Sequence, residues 1–290
     1  MLIFRRLIFR KPELLGFVKG GSKMAHREKK EGRDRFEEFY NDVYGQRWQS
    51  LKSALLKESS PVSLSDRLTQ PYYMDSASIQ AASFLPVKQG DTVLDMCAAP
   101  GGKTLVIALK LDGNGHLVSN DRSSQRRIRL HNVIKNCLDE KKASIISVTG
   151  HDSTKWGLYE KNVYDCILLD APCSSERHVL ADEKALAIWG PNRPKVLAMQ
   201  QFAMLAAALD AAKPGGYILY STCSINPMEN SMVIEKLHLK RHELFTEIPL
   251  ETHAEKLDHG YIFLPDTSNG TGPLYFCLLK KSTEVKENEI

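Results

Sequence analysis

The chain has 290 residues, 42% of them hydrophobic, and a net charge of +4. That composition supports a buried core and excludes a disordered chain, and no apolar run approaches the ~20 residues of a membrane-spanning helix. Six cysteines, at 97, 137, 166, 173, 223 and 277, contain no Cys-x-x-Cys pair, which argues against structural zinc and fits a reducing compartment better than a secreted disulfide framework.

Residues 1–23 read as a basic extension. They are either a targeting segment or a stretch upstream of a native start at Met24. The run from Arg5 to Lys30 and a second run, Arg122, Arg126, Arg127, Arg129 and Lys135, each read alone as a solvated face. Residues 24–60 carry Phe36, Phe39, Tyr40, Val43 and Tyr44 at helical spacing, then Trp48, Leu51, Leu55 and Leu56, until Ser59-Ser60-Pro61 breaks the pattern. A second helix is expected over Ser76–Leu85.

From Asp91 onward short apolar runs alternate with helical patterns. Strands are expected at Thr92–Met96, Leu117–Ser119, Ser144–Val148, Cys166–Leu169 and Tyr217–Ser221. Helices are expected at Gly101–Leu111, Ser123–Leu138, a long stretch ending at Lys213-Pro214-Gly215-Gly216, and Glu229–Leu239. Two late strands fall near Tyr261–Leu264 and Leu274–Leu279, and residues 283–290 read as a frayed tail. The alternation predicts an α/β fold with a mostly parallel, doubly wound sheet. Ligands of such sheets bind at the carboxyl ends of strands. That rule selects Cys97–Lys103, Asn120-Asp121, Asp170–Cys173 and Thr222-Cys223.

The first segment, Asp95-Met96-Cys97-Ala98-Ala99-Pro100-Gly101-Gly102-Lys103, joins a strand to a helix. Its glycines permit close backbone approach, and the helix start offers free N–H groups to an anionic ligand end. Asp121 follows at the distance where an acid commonly binds ribose hydroxyls. The segment is neither a Walker loop nor a dinucleotide Gly-x-Gly-x-x-Gly, and a plain strand–helix turn stays open as a reading.

Cys173 and Cys223 end two strands and are expected to face one cleft. Two buried structural cysteines are the alternative, and that reading is adopted for Cys137, Cys166 and Cys277, which sit within apolar periodicity. Paired thiols beside an acid suit addition to a pyrimidine. A thiolate added to carbon 6 makes carbon 5 of cytosine nucleophilic toward a methyl sulfonium, and a donor at ring nitrogen 3 stabilises the charge created. Asp170 would serve best there if burial keeps it protonated as a donor.

These motifs, in this order and spacing, resemble the RNA 5-methylcytosine methyltransferases of the nucleolar-protein/Sun group, also called the RsmB/NOP family, from about Tyr72 to Lys280. Tyr72–Ser78, Lys155-Trp156-Gly157 and Cys173–His178 resemble its short, mitochondrial-type branch. The resemblance implies a Rossmann-like class I methyltransferase domain over 71–282, a small basic N-terminal RNA-binding subdomain over 24–70, and S-adenosyl-L-methionine as cofactor. It implies Cys223 as nucleophile, Cys173 as the thiol assisting product release, and Asp170 and Lys103 in the active site. It further implies that Cys97, Ala98, Ala99, Pro100, Gly101, Gly102 and Lys103 hold the cofactor, with Asp170 beside it, Asp121 at its ribose and Asp152 near its adenine. Arg177 and His178 become substrate-side candidates, and a capping or surface role stays open for both. The chain departs from longer members at Met74, where they carry Gln, and at Ser153, where a glycine is frequent after Asp152. RNA is the implied partner, ribosomal RNA ahead of transfer RNA. A monomer is expected, with room for a recruiting protein partner, in the cytoplasm or alternatively the mitochondrial matrix. The competing function is an RNA-binding ribosome-assembly factor with little catalysis. A DNA cytosine methyltransferase is a poorer fit, because those enzymes use a Pro-Cys-Gln segment and Ser174 follows Cys173.

Overall fold

Strands β3 (Thr92–Asp95), β4 (His116–Asn120), β5 (Ile146–Thr149), β6 (Tyr164–Asp170) and β7 (Ala212–Thr222) form the parallel half of one sheet, in the spatial order β5-β4-β3-β6-β7. The source is a computed structural model, which describes residues 31–283. The readings of residues 1–23, of the Arg5–Lys30 run and of the tail from 284 onward lie outside the described residues. β11 (Leu274–Lys281) pairs antiparallel with β7 and extends the sheet toward β10 (Tyr261–Phe263) and β9 (Glu255–Lys256), while β8 (Phe245–Glu247) also pairs with β11.

The central strands are apolar on both faces because helices cover both. The helix Gly102–Leu111 buries Leu105, Ile107, Ala108 and Leu111 on the face shared with Val93, Leu117 and Leu168. On the other face the 20-residue helix Asn192–Ala211 buries Leu205, Ala208 and Leu209 against Ile167, Leu169 and Ile218. This is the expected doubly wound α/β architecture.

The N-terminal helices Gly32–Tyr44 and Trp48–Leu56 pack into that second face. Phe36, Tyr40 and Trp48 are fully buried; Phe36 and Tyr40 meet Trp189, with Phe36–Trp189 centroids 5.1 Å apart, and Tyr40–Trp48 centroids lie 5.2 Å apart. Arg47 fixes the same element to the distal loops through a bidentate pair with Glu255 at 2.6 and 2.7 Å and a further contact with Asp266 at 2.7 Å.

Three differences from the sequence expectation have physical causes. A small hairpin, β1 (Val62–Leu64) with β2 (Tyr72–Met74), forms where no strand was expected, since its three-residue strands are mostly exposed or half-buried. The long helix ends at Ala211, and β7 begins immediately, not at Tyr217. The pairing jumps from Tyr164↔Ala212 to Cys166↔Tyr217, so Lys213–Gly216 is looped out of register, with Gly215 at φ +77°. The Pro-Gly-Gly signal marked that irregularity. The segment between Ser174 and Pro191 folds as two short helices, Glu176–Ala181 and Glu183–Ala187, too brief for a periodic pattern.

Candidate active site

The carboxyl ends of β3, β4, β6 and β7 converge, and each predicted segment leaves the sheet there. Asp170 is in register with Ser221, and Ala171 N donates to Ser221 O at 2.8 Å. The chains that follow therefore leave side by side, and Cys173 Sγ comes to 3.0 Å from Cys223 Sγ. Ser175 Oγ sits against both sulfurs, 3.1 Å from Cys223 and 3.5 Å from Cys173. Cys223 is exposed, and Cys173 is partly buried.

The two thiols are not equivalent. Hydrogen bonding from Cys173 holds the Cys223 thiol below its ordinary range, against the opposing effect of burial. The Cys173 thiol is pushed well up by its bond to Cys223 and then by burial. At this distance the two thiols titrate as one coupled pair, one sulfur able to donate to the other. Elsewhere burial pushes Cys97 and Cys166 up to about 12. Cys137, Cys166 and Cys277 are buried, as their periodicity implied.

Beside the thiols, Lys103 Nζ donates to Asp170 Oδ2 at 2.7 Å, and Ser221 Oγ donates to Asp170 Oδ1 at 2.8 Å. Both oxygens act as acceptors. Burial alone would lower the pKa of Lys103, but the charge and hydrogen bond of Asp170 more than offset it and raise it.

A pocket opens next to this pair. Its walls are Cys97, Ala98, Ala99, Pro100, Gly102, Lys103, Asp95 and Asp170, closed from the far side by Tyr72, Met74 and Ser78. Gly101 holds φ +123° at the start of the helix, a region that favours glycine. At Gly102 a Cβ would come within 2.9 Å of the Tyr72 ring and 3.0 Å of Met74 Sδ, so its absence keeps the cleft open.

Asp121 follows β4 and is 4% exposed. Its Oδ1 accepts from Ser123 N at 2.9 Å. Its Oδ2 is buried without a hydrogen-bond partner, although Arg126 Nη1 stands 3.3 Å away as an ion-pair neighbour. Asp95 Oδ1 is likewise buried and unpartnered, while its Oδ2 accepts from Thr104 Oγ1 at 2.7 Å. Burial raises the Asp95 carboxyl to about 7. Of the two, only Asp95 is among the walls of the pocket, and its unpartnered Oδ1 beside a glycine-edged cleft fits a ligand carrying hydroxyl or ammonium donors, as an amino-acid-bearing nucleoside does.

Not every predicted residue joins the pocket walls. Asp152 caps its own turn, accepting from Thr154 N at 3.1 Å and Thr154 Oγ1 at 2.8 Å, and these bonds keep its pKa low. Ser153 hangs beneath it, donating to Met96 O at 2.8 Å. The mid-chain basic run is only partly a solvated face. Arg129 and Lys135 are exposed, but Arg126 Nη2 donates to Ala99 O, and Arg127 Nη1 donates to Asp121 O at 2.8 Å. Sequence reasoning also missed a buried carboxyl pair below the thiols. Glu176 and Glu229 both accept from Ser174 Oγ, Tyr40 OH donates to Glu176 at 2.6 Å, and Gln201 Nε2 donates to Glu229 at 2.9 Å. The only signal was the unusual density of polar residues after each cysteine.

Comparison with known proteins agrees with this geometry. A family model described as 16S rRNA methyltransferase RsmB/F matches residues 82–280. The chain is 36% identical over 231 residues to the 5-cytosine rRNA methyltransferase NSUN4 of Bos taurus, covering 73% of this chain and 60% of that protein. It is 31% identical over 227 residues to the mitochondrial tRNA (cytosine(34)-C(5))-methyltransferase of Danio rerio, covering 74% and 61%. The chain thus spans about three fifths of these relatives' length. Among solved structures, a methyltransferase homolog from Pyrococcus horikoshii superposes with a TM-score of 0.69 at 21% identity, covering 85% of this chain and 94% of that one. NSun6 from the same organism, solved with SFG, gives a TM-score of 0.61 at 25% identity, covering 77% and 56%.

Proposed function

The chain belongs to the 16S rRNA methyltransferase RsmB/F family, and from that premise we propose that it is an RNA cytosine-5 methyltransferase dependent on S-adenosyl-L-methionine. The observation that carries this reading is the thiol pair 3.0 Å apart at two adjacent strand tips, next to Lys103, Asp170 and the glycine-edged pocket. A methyltransferase acting on an oxygen or an amine needs no such pair.

The loop from Cys97 to Lys103 would hold the cofactor, with Asp121, which has no hydrogen bond at Oδ2, at a ribose hydroxyl and Asp152 at the adenine side. The bound cofactor supplies an electrophilic methyl group. Cys223, as thiolate, adds to carbon 6 of cytosine, and the electron pair moves onto carbon 5 and the ring. Cys173 retains its proton during this addition. Release from the methylated adduct would need a base: Cys173, once its own proton has passed to solvent, would take the carbon 5 proton, and that C–H electron pair would re-form the carbon 5–carbon 6 double bond and expel the Cys223 thiolate. Asp170 and Lys103, joined at 2.7 Å, face the cytosine amino group and ring nitrogen 3, where a donor offsets the charge that the addition creates.

Ribosomal RNA is the proposed substrate, supported by the family description and by the name of the bovine relative. Of the two locations expected from the sequence, the mitochondrial matrix is supported by the name of the zebrafish relative, and the cytoplasmic expectation finds no support. Residues 24–70 are proposed to contribute to RNA binding.

Bisulfite sequencing of total RNA with and without the gene tests the whole reading. The expected result is loss of methylation at one or a few cytosines of a small-subunit ribosomal RNA. An unchanged methylation map, together with no transfer of labelled methyl to RNA by purified protein, would overturn it.

A further inference from the structure

We propose that Arg177 binds a backbone phosphate of the target RNA at the mouth of the thiol cleft. The inference rests on the reading of RNA as substrate and names the group that anchors it.

Arg177 lies in the short helix that follows the cysteine turn, two residues after Ser175, whose hydroxyl is 3.1 Å from Cys223 Sγ. It is half-buried, and no carboxylate among the described residues hydrogen-bonds to it. Its Nε is buried with no hydrogen-bond partner, and Nη2 reaches only the carbonyl of Gly270 at 3.4 Å. The acid whose charge it senses, Asp75, is otherwise engaged. Asp75 Oδ1 accepts from Ala77 N at 2.8 Å, and Oδ2 accepts from Gly272 N at 3.0 Å.

A guanidinium partly withdrawn from water without an anion carries a desolvation cost that a bound anion would offset. The neighbouring basic groups show the contrast. Lys103 has Asp170, and Arg47 has Glu255 and Asp266. Arg177 is not among the walls of the Gly102 pocket, and its place two residues after Ser175 points to the occupant of the thiol cleft as the source of that anion. A nucleotide placed with its base at Cys223 brings a phosphodiester, and the planar fork of Arg matches two phosphate oxygens.

The test is equilibrium binding of a short single-stranded, cytidine-containing RNA in the absence of cofactor, from about 50 to 200 mM salt. Losing one phosphate contact should make the log–log salt slope of Arg177→Gln shallower by about 0.7 and weaken low-salt binding roughly tenfold. Arg177→Lys should keep most of the slope. In methyl transfer, Arg177→Gln should raise KM for RNA and leave KM for S-adenosylmethionine unchanged. Unmutated protein gives a second readout, in which RNA should protect Arg177 from phenylglyoxal as read by mass spectrometry. An unchanged salt slope with no protection overturns the proposal. So does a rise in KM confined to the cofactor, which would mean Arg177 serves the cofactor carboxylate. A wild-type protein that methylates RNA while Arg177→Gln binds it normally removes this inference alone. A protein that binds RNA through Arg177 but transfers no methyl removes the proposed function and leaves this one standing.

Discussion

Cys173 Sγ stands 3.0 Å from Cys223 Sγ because Asp170 and Ser221 are register partners at the ends of parallel strands. The contact makes the roles of the two thiols unequal, since hydrogen bonding from Cys173 favours the thiolate of Cys223. Cys223→Ser should therefore lower methyl transfer by ~10³-fold or more. Cys173→Ala should still add to cytosine but release it slowly, so a covalent protein–RNA adduct should accumulate on denaturing gels. An adduct that builds up in Cys223→Ala instead would reverse the assignment.

The same contact predicts a pH effect. A hydrogen bond that lowers the Cys223 pKa extends its thiolate below the ordinary thiol range, and the thiolate fraction falls as pH drops through that lowered value. Cys173→Ala removes the donor. The pH profile of Cys223 alkylation by iodoacetamide should then move to higher pH, while Ser175, still 3.1 Å away in the parent protein, limits the move. Superimposable profiles would show that Cys173 does not tune Cys223.

Much of this site was legible before any coordinates. Strand ends marked Cys97, Asp121, Asp170, Cys173 and Cys223, because buried parallel strands read as short apolar runs and ligands gather at their carboxyl ends. The thiol contact was not legible, since it depends on the Asp170↔Ser221 register, which no local pattern encodes. Nor was the role of Arg126. A helix bearing Arg126, Arg127 and Arg129 reads as a solvated face, and only the tertiary fold shows Arg126 holding the Ala99 carbonyl. The place of Tyr72 and Met74 on the pocket wall was not legible for a similar reason. Their hairpin strand is three residues long, and its two inward side chains close the cofactor pocket from a distance in sequence.

Glu229 gives a stability prediction with a definite sign. Burial, and then the charge of Glu176, raise its carboxyl to about 7. An unfolded chain would bind that proton only below ~4.3. The folded state therefore holds the extra proton between these values. This contribution to stability is complete below ~4.3 and is lost as pH rises to about 7, by at most ~4 kcal/mol. Glu229→Gln supplies a neutral side chain and should flatten the slope in urea unfolding over that window. Glu229→Ala should lower stability throughout, by ~1–3 kcal/mol, because Ser174 N and Gln201 Nε2 lose their acceptor. A Gln variant with the parental pH slope would show that the proton resides elsewhere.

The aromatic cluster that docks the N-terminal helices is the place to test whether they fold with the sheet. Trp48 is fully buried, stacked 5.2 Å from Tyr40, and its Nε1 donates to Glu37 at 2.8 Å. Trp48→Ala should cost ~3–5 kcal/mol of global stability. A single cooperative transition at lower denaturant is expected. Two separate transitions would show the helices to be an independent unit.

Gly102→Ala separates cofactor entry from folding. The new methyl would meet the ends of two side chains, the Tyr72 ring at 2.9 Å and Met74 Sδ at 3.0 Å, and no backbone atom stands among its nearest neighbours. Flexible side chains can yield, so the fold should survive with a cost of about 1 kcal/mol, typical of mild overpacking. The yielding side chains have only the cleft to move into, because Tyr72 and Met74 already form its wall. Cofactor KM should therefore rise by one to two orders of magnitude, about 1.4–2.8 kcal/mol, while RNA affinity without cofactor stays unchanged. Equal loss of both affinities would mean that Gly102 supports the architecture of the whole cleft and not the cofactor's place in it.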